Sequence, residues 1–473
     1  MEFIVEPEKK VPVYGREDVV VCGGGVAGLG AAIAASRNGA ATLLVERNNG
    51  LGGDASVAGS ALLYQSARDA RGILKEMIDR MVAANGAVTD FKTDYPPHNL
   101  GTGPGVEFVV YEPETFKQVA LDMLEEAGVK LLLYTQFSEP ILRGNEVAGV
   151  FLENKSGRSA VLSNVVLDCT GDADVAARAG VPCVIGRETD NKIRPVSLYF
   201  RVGNVDFKRL KDFAEEHEDE VPGGGKGVDL DHGVIVMNGF NKMVKEAVKL
   251  GELDPAVEFY VRFDNLIAGN SCRVNATRVY DIDPTNGEDL TRAELTARKQ
   301  IRQLMSFLRK RIAGFEYAII LETAAHIGVR ESRHIVGEHV LSSDDFGRKF
   351  DDAVWAKKTL WGPGTDMHDP DGPAGDLGRF LSPASTSRHD FQIPYRCLVP
   401  KQVERLLVAG RCISATGIMR WNTRSIQSCL YTGQVVGTAA ALAVQGKVPP
   451  RLVDVKELQM RLLDQGFLPS DVS

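Results

Sequence analysis

Gly23, Gly25 and Gly28 stand in a Gly-x-Gly-x-x-Gly spacing, with Val26 and Ala27 between them, directly after the apolar run EDVVVC and at the head of LGAAIAASRNG. Such a spacing after a strand and before a helix suits phosphate: glycine allows a tight turn and close backbone approach, and the helix start offers free N–H groups and a positive dipole end. The next apolar run, ATLLVE, ends at Glu46, 18 residues after Gly28. An acid there can accept hydrogen bonds from a ribose hydroxyl pair and disfavours a 2′-phosphate. A chance glycine turn in an α/β protein is the competing reading. Strand, helix and acid falling in register favour a dinucleotide.

The residues after Glu46 extend the site. Arg47, Gly52, Gly53 and Ser56 add a second glycine pair, as a ligand longer than NAD requires. Thr170-Gly171-Asp172 follows one buried strand and Gly410-Arg411 another, placing further loops at strand carboxyl ends, where open α/β sheets bind ligands. These extensions point to FAD. Gly101–Gly105 contains proline and Gly223–Gly225 opens no helix, so no second fingerprint for a nicotinamide cofactor is expected.

A second concentration of chemistry is HIGVRESRH, from His326 to His334. Arg330 with a nearby histidine could orient an anionic substrate and move its proton. Equally, Arg330, Glu331 and Arg333 could form an internal salt-bridge network. The string HIVGEH has neither zinc-protease spacing, and no metal is expected. Asp366, His368 and Asp369 sit in a Gly/Pro/Asp/Ser-rich stretch, Gly362–Arg388, that reads as a functional loop, a lid or a solvated surface. Arg396, Arg420, Arg424 and His389 suggest a cation-rich pocket for a carboxylate or other oxygen-rich substrate, although Arg424 could equally serve a cofactor phosphate.

The elements that position these groups read as strand, glycine turn, helix and strand from Glu17, with residues 1–16 as a leader. Helical periodicity follows at Leu74–Ala84 and Pro113–Ala127, closed by Gly128 before the strand VKLLLYTQF. A hairpin pattern spans Ile141–Leu162, and NVVLDCTGD reads as a separate buried strand. From about Pro195 to Ile320 the pattern changes to mixed strands, an acidic helix and long loops. VERLLVAGR is another buried strand, followed by a helical segment from about Thr423. The expected fold is α/β, a Rossmann-like dinucleotide domain built from 1–190 plus 395–473, with an α+β substrate domain, 191–394, inserted.

Composition narrows the class. The chain has 473 residues, 44% of them apolar, enough for a large core. With 63 acidic against 55 basic residues and no basic block, nucleic acid and anionic membrane are poor partners. No apolar run approaches the ~18 residues of a membrane span, and MEFIVEPEKK lacks a signal core. Seven cysteines without a C-x-x-C fit reduced thiols in a cytoplasm; Cys169 and Cys412 read as small core residues.

Taken in order, VVVCGGGVAGLGAA with VERNNGLGG, EPETFKQVALDMLEEAGVKLLL, VVLDCTGDADVAARAG, VNATRVYDIDPTNGEDLTRAEL, IGVRESRHIVGEH and IPYRCLVPKQVERLLVAGRCISAT with GQVVGTAAAL resemble the FAD-dependent oxidoreductases of the glutathione-reductase-like superfamily. The likeness is strongest to a bacterial family with a G-V-R-E-[ST]-R motif, and it runs over nearly the whole chain. The resemblance implies that Gly23, Gly25, Ala27, Gly28, Glu46, Arg47 and Gly53 hold the ADP half of FAD. It implies backbone contacts to adenine from Phe137, and that Gly410 and Arg411 reach the pyrophosphate–ribityl region. Gly433, Gln434 and Val435 would lie under the flavin ring, and a helix amino terminus near the flavin would steady its reduced form. Relatives often carry a histidine where this chain has Gly417, so a proton-transfer role is not inherited at that position. The expected function is hydride exchange between flavin N5 and a small polar, anionic or oxygen-rich metabolite, with an external electron acceptor or donor. The expected catalytic residues are Arg330, His326, His368 and Arg424. A flavin monooxygenase and a non-catalytic flavin-binding subunit are the alternatives, and a homo-oligomer is left open.

Overall fold

In the computed structural model, residues 3–92, 107–257, 260–267, 269–358 and 389–468 are described. Strand β1 (Val13–Cys22) ends in Val19–Cys22, which are wholly buried, as a parallel strand covered on both faces must be. It pairs in parallel with β2 (Thr42–Val45) on one side and with the strand Gly157–Asp168 on the other. β2 in turn pairs in parallel with Lys130–Leu132. β1 begins at Val13, so part of the expected leader belongs to the sheet.

The 12-residue strand Gly157–Asp168 corrects the expected division at Asn164. Residues 157–162 pair antiparallel with Glu146–Asn154, which pairs with Gln136–Arg143. Val166–Asp168 instead pair in parallel with Leu406–Val408. One strand thus takes a local hairpin and a strand from the far end of the chain on the same edge. The result is a seven-stranded sheet. The expected strand VKLLLYTQF is also divided: Tyr134 takes a left-handed conformation, φ 53°, between Lys130–Leu132 and Gln136–Arg143.

Helix α1 (Val26–Arg37) buries every residue from Val26 to Ala35, so it has no solvent face. The long helix Ile426–Gly446 covers it, buried from Gln427 to Ala443. The two backbones meet through glycines. A Cβ on Gly433 would lie 2.0 Å from the Ala27 carbonyl oxygen, and one on Gly437 2.2 Å from that of Ala31. Alanine and glycine set this spacing, and larger side chains would separate the helices.

A second sheet of six strands runs in the order Val228–Asp229, Val234–Gly239, Val261–Leu266, Cys272–Asn275, Phe200–Gly203 and Ile319–Thr323. It shares a buried core with the helix Gly287–Arg311, including Phe200, Phe263, Ile301, Leu304 and Phe315. That helix is locally consistent: the Asn286 side chain accepts from the Glu288 and Asp289 N–H groups, acids occupy the first turn and Arg309–Arg311 the last. The strands Cys183–Ile185 and Arg333–Ile335 pair antiparallel and tie the HIGVRESRH segment to the seam beside the first sheet.

Candidate functional site

At the carboxyl ends of the parallel strands lies a cleft. Gly23, Gly25, Val26, Ala27, Glu46, Arg47, Gly52 and Gly53 line it from the first βαβ unit. Phe137, Thr170, Gly171, Asp172, Gly410 and Arg411 line it from the later strand ends. The elements expected to converge do converge.

The glycines differ in what they do. Gly23 has φ +102°, and a Cβ there would sit 2.5 Å from the Cys169 carbonyl oxygen, so this position serves a close backbone crossing. A Cβ on Gly28 would lie 1.8 Å from the Gly23 carbonyl oxygen, and Gly28 packs helix on strand without lining the cleft. Gly25, at the N-cap of α1, has nothing within 4 Å of its Cβ position. Its missing side chain is space in the cleft, at a helix start with no acid in its first turn to offset the positive dipole end.

Glu46 lines the cleft while its carboxylate accepts from the Gly24 N–H at 2.6 Å and from the Asn48 N–H and Nδ2 at 2.8 and 2.7 Å. Those bonds aim an acceptor beside the glycine turn. Arg411 donates to Asp172 at 2.9 Å, bracing one strand-end loop against the other. Gly410 donates its N–H to Thr432 Oγ1 at 3.0 Å.

Two expected placements are corrected. Ser56 hydrogen-bonds the Leu51 carbonyl and lines a different hollow, so it braces the loop instead of facing the cleft. Gly433, Gln434 and Val435, expected under the flavin, lie within the long helix and do not line the cleft. Gly433 packs on α1, the Gln434 side chain accepts from the Ile73 N–H at 3.0 Å, and Val435 is core. The helix begins at Ile426, and its Ile426 and Cys429 are what reach the cleft. The motif position and the helix start are separated by two turns, and only the fold shows which one faces the ligand.

A second chamber adjoins the cleft, and Asp54, Val329, Arg424 and Ile426 line both. Arg330 is buried at its wall, with Nη1 donating to the Pro195 carbonyl at 2.6 Å. His326 lines the cleft, with Nδ1 3.0 Å from the Ile327 carbonyl oxygen. His368, with Asp366 and Asp369, falls outside the described residues.

The rest of HIGVRESRH is a network. Glu331 pairs with Arg194 at 2.6 Å and Arg420 at 3.1 Å. Burial alone would raise its carboxyl, but the Arg194 and Arg420 guanidiniums outweigh this and hold it below its ordinary value. His334 is pushed down to about 3, by burial first and then by Arg420, so it stays neutral. Arg333 pairs with Asp174 at 2.5 Å. Arg330 thus serves the chamber and its neighbours serve the seam.

Of the four groups expected to make a cation-rich pocket, only Arg424 reaches the chamber. Arg396 pairs with Asp352 at 2.9 Å, Arg420 is held in the seam, and His389 stacks on Phe346 at 4.9 Å. Sequence reading missed Tyr64, Tyr199, Tyr260, Arg262, Asn275 and Trp421, which line the chamber. They come from segments whose local patterns signal only strands and loops. Gly417, singled out in the sequence as a departure from the resembling family, has φ +51° and opens the short helix Gly417–Thr423, nothing lying within 4 Å of its Cβ position.

The model for FAD-dependent oxidoreductases matches residues 18–462. The chain belongs to the FAD-dependent oxidoreductase family. It is a flavin-dependent enzyme, its cofactor is FAD, and its fold is α/β with a Rossmann-like FAD-binding region. The cleft fits that cofactor: a glycine cradle open at Gly25, a helix start for the pyrophosphate, an acid beside the turn and loops at three further strand ends.

No curated protein matches this member of the family. Solved structures that match include a myxobacterial chondrochloren halogenase, 13% identical, with 94% of this chain and 79% of that one covered at a TM-score of 0.50. A p-nitrophenol 4-monooxygenase from Pseudomonas putida is 13% identical over 96% of this chain and 85% of that one, TM-score 0.49. A geranylgeranyl bacteriochlorophyll reductase-like protein from Thermoplasma acidophilum is 13% identical over 96% and 84%, TM-score 0.49. At such identity the likeness concerns the fold alone. Among the described residues, no helix is long and apolar enough to cross a membrane.

Proposed function

We propose that this flavoenzyme is of the glutathione-reductase-like type and exchanges a hydride between flavin N5 and a small polar, anionic or oxygen-rich metabolite. An external acceptor or donor would complete the cycle. The division into 1–190 plus 395–473 for FAD and 191–394 for substrate is part of the same proposal. The observation that carries it is the adjacency of the two cavities: Asp54, Val329, Arg424 and Ile426 belong to both walls, which would set a molecule in the chamber beside one in the cleft.

Bound FAD supplies the hydride-exchanging centre. The chain's own residues bind and orient around it. Gly23–Ala27 and the start of α1 take the pyrophosphate, and Glu46 takes a ribose hydroxyl. Arg330, steadied by the Pro195 carbonyl, presents a planar fork to substrate oxygens. Burial raises the Tyr64 phenol above its ordinary value, so at neutral pH it keeps its proton to donate. When His326 Nδ1–H donates to the Ile327 carbonyl, Nε2 is left as the atom that takes a substrate proton.

The test is anaerobic titration of the yellow protein with small sugars, hydroxy acids and amino acids, following the visible flavin bands. Bleaching by at least one compound is expected. A panel that leaves the flavin fully oxidised overturns hydride exchange with such metabolites. Fast reoxidation in air coupled to an oxygenated product would establish the monooxygenase alternative instead.

A further inference from the structure

The chamber wall is chemically lopsided. Three guanidiniums, Arg262, Arg330 and Arg424, line it against two carboxylates, Asp54 and Asp264. Asp264 is already spoken for. Arg262 Nε lies 2.5 Å from one of its oxygens, and Arg273 pairs with the other from outside the chamber. Two guanidiniums on one buried carboxylate leave a net positive charge at that wall.

Arg262 is 5% exposed, and its Nη2 has no hydrogen-bond partner within the protein. A buried guanidinium with an unused N–H edge costs free energy unless an acceptor arrives, and an anionic acceptor suits it best. The remaining wall is aromatic: Tyr64, Tyr199, Tyr260 and Trp421. Three of these rings already carry cations: Arg262 over Tyr64 at 5.5 Å, Arg273 over Tyr199 at 4.7 Å, and Arg424 and Arg194 over Trp421 at 4.7 and 5.2 Å. The stacked arginines are therefore held in place beside flat apolar faces.

We infer that the chamber selects a carboxylate carried on a ring. The carboxylate meets the Arg262 guanidinium where it lines the chamber, and the ring lies beside Tyr64, Tyr199, Tyr260 and Trp421. Either an aromatic acid or a cyclic sugar acid satisfies this chemistry, since both present a flat face to an aromatic wall. The inference rests on the reading of this chamber as the substrate site, and it concerns binding, not the redox step.

The experiment titrates the FAD-loaded protein with benzoate, cyclohexanecarboxylate and glucuronate, and with benzamide and benzyl alcohol as neutral counterparts. Perturbation of the flavin absorption bands and of tryptophan fluorescence reports each Kd. At least one ring acid should bind about tenfold or more tighter than the neutral compounds, and the three acids separate aromatic from sugar-like preference. Arg262→Met should weaken that acid about tenfold or more while FAD per chain and benzamide binding stay within about twofold; Arg262→Lys should recover part of the loss. Equal binding of benzoate and benzamide, no binding of any ring acid at millimolar concentration, or an Arg262→Met protein that holds the acid as well as the wild type overturns the inference. The comparison of charged with neutral ligands on the wild-type protein stands even where Arg262→Met does not fold. Arg262-dependent acid binding without bleaching by any compound would sink hydride exchange alone. Bleaching by neutral sugars that no ring acid competes with would sink the carboxylate inference alone.

Discussion

At the scale of single residues, glycines of one motif separate into ligand and scaffold. The Gly25 Cβ position points into open cleft, so Gly25→Val should fold, losing about 1 kcal/mol at most as an N-cap change. The same branched side chain fills the pyrophosphate cradle, and FAD affinity should fall about a hundredfold or more. Equilibrium dialysis with FAD and a melting curve of the apoprotein check the pair of outcomes; a Gly25→Val protein that retains tight FAD refutes the cradle. Arg330 allows a second test of the same kind. Arg330→Lys keeps charge but loses the fork, and the Pro195 carbonyl loses its donor, a cost of about 1 kcal/mol. FAD occupancy should hold while turnover per bound flavin drops tenfold or more. Full activity per flavin would leave Arg330 as a purely structural residue.

At the scale of elements, the seam segment Arg330–His334 is where one chain stretch serves two purposes. Its side chains divide between the chamber and the Arg194–Glu331–Arg420 network, which sits beside buried His334. His334 titrates near 3 in the folded protein, against about 6.5 when unfolded, so between those values the unfolded chain binds the extra proton. Stability is therefore lost as pH falls from about 6.5 toward 3, with a slope of up to about 1.4 kcal/mol per pH unit from this one group. His334→Gln should flatten that dependence by one proton. Urea unfolding of both proteins between those pH values measures it, and parallel curves would remove His334 as the source.

At the scale of the whole molecule, the FAD cleft adjoins an aromatic, arginine-lined chamber. Gly223–Gly225, the other described glycine cluster of the sequence, forms a short turn of helix in the second sheet's region and lines neither cavity. NADH or NADPH alone should accordingly reduce the flavin slowly and without saturation at micromolar concentration. Stopped-flow reduction under anaerobic conditions checks this; fast, saturable reduction by either nucleotide would overturn the expectation.

The glycine turn, its following helix and the acid after β2 were legible in the amino-acid order, because their chemistry depends on spacings of a few residues within one βαβ unit. The paired strand ends at Asp172 and Arg411 were legible for a related reason: a buried apolar run that stops at glycine exposes backbone at a sheet's edge. Tertiary structure alone decided three things. It merged the hairpin and the following strand into Gly157–Asp168, since which neighbour an edge takes depends on strands hundreds of residues away. It turned Gly433 from a flavin contact into a helix-crossing contact, since a glycine in a helix reads the same toward ligand or toward α1. And it assembled the chamber, since Tyr64, Arg262, Arg330 and Arg424 are brought within one wall only by folding. No local pattern marks Arg262, whose meaning comes from burial beside Asp264 in the chamber wall.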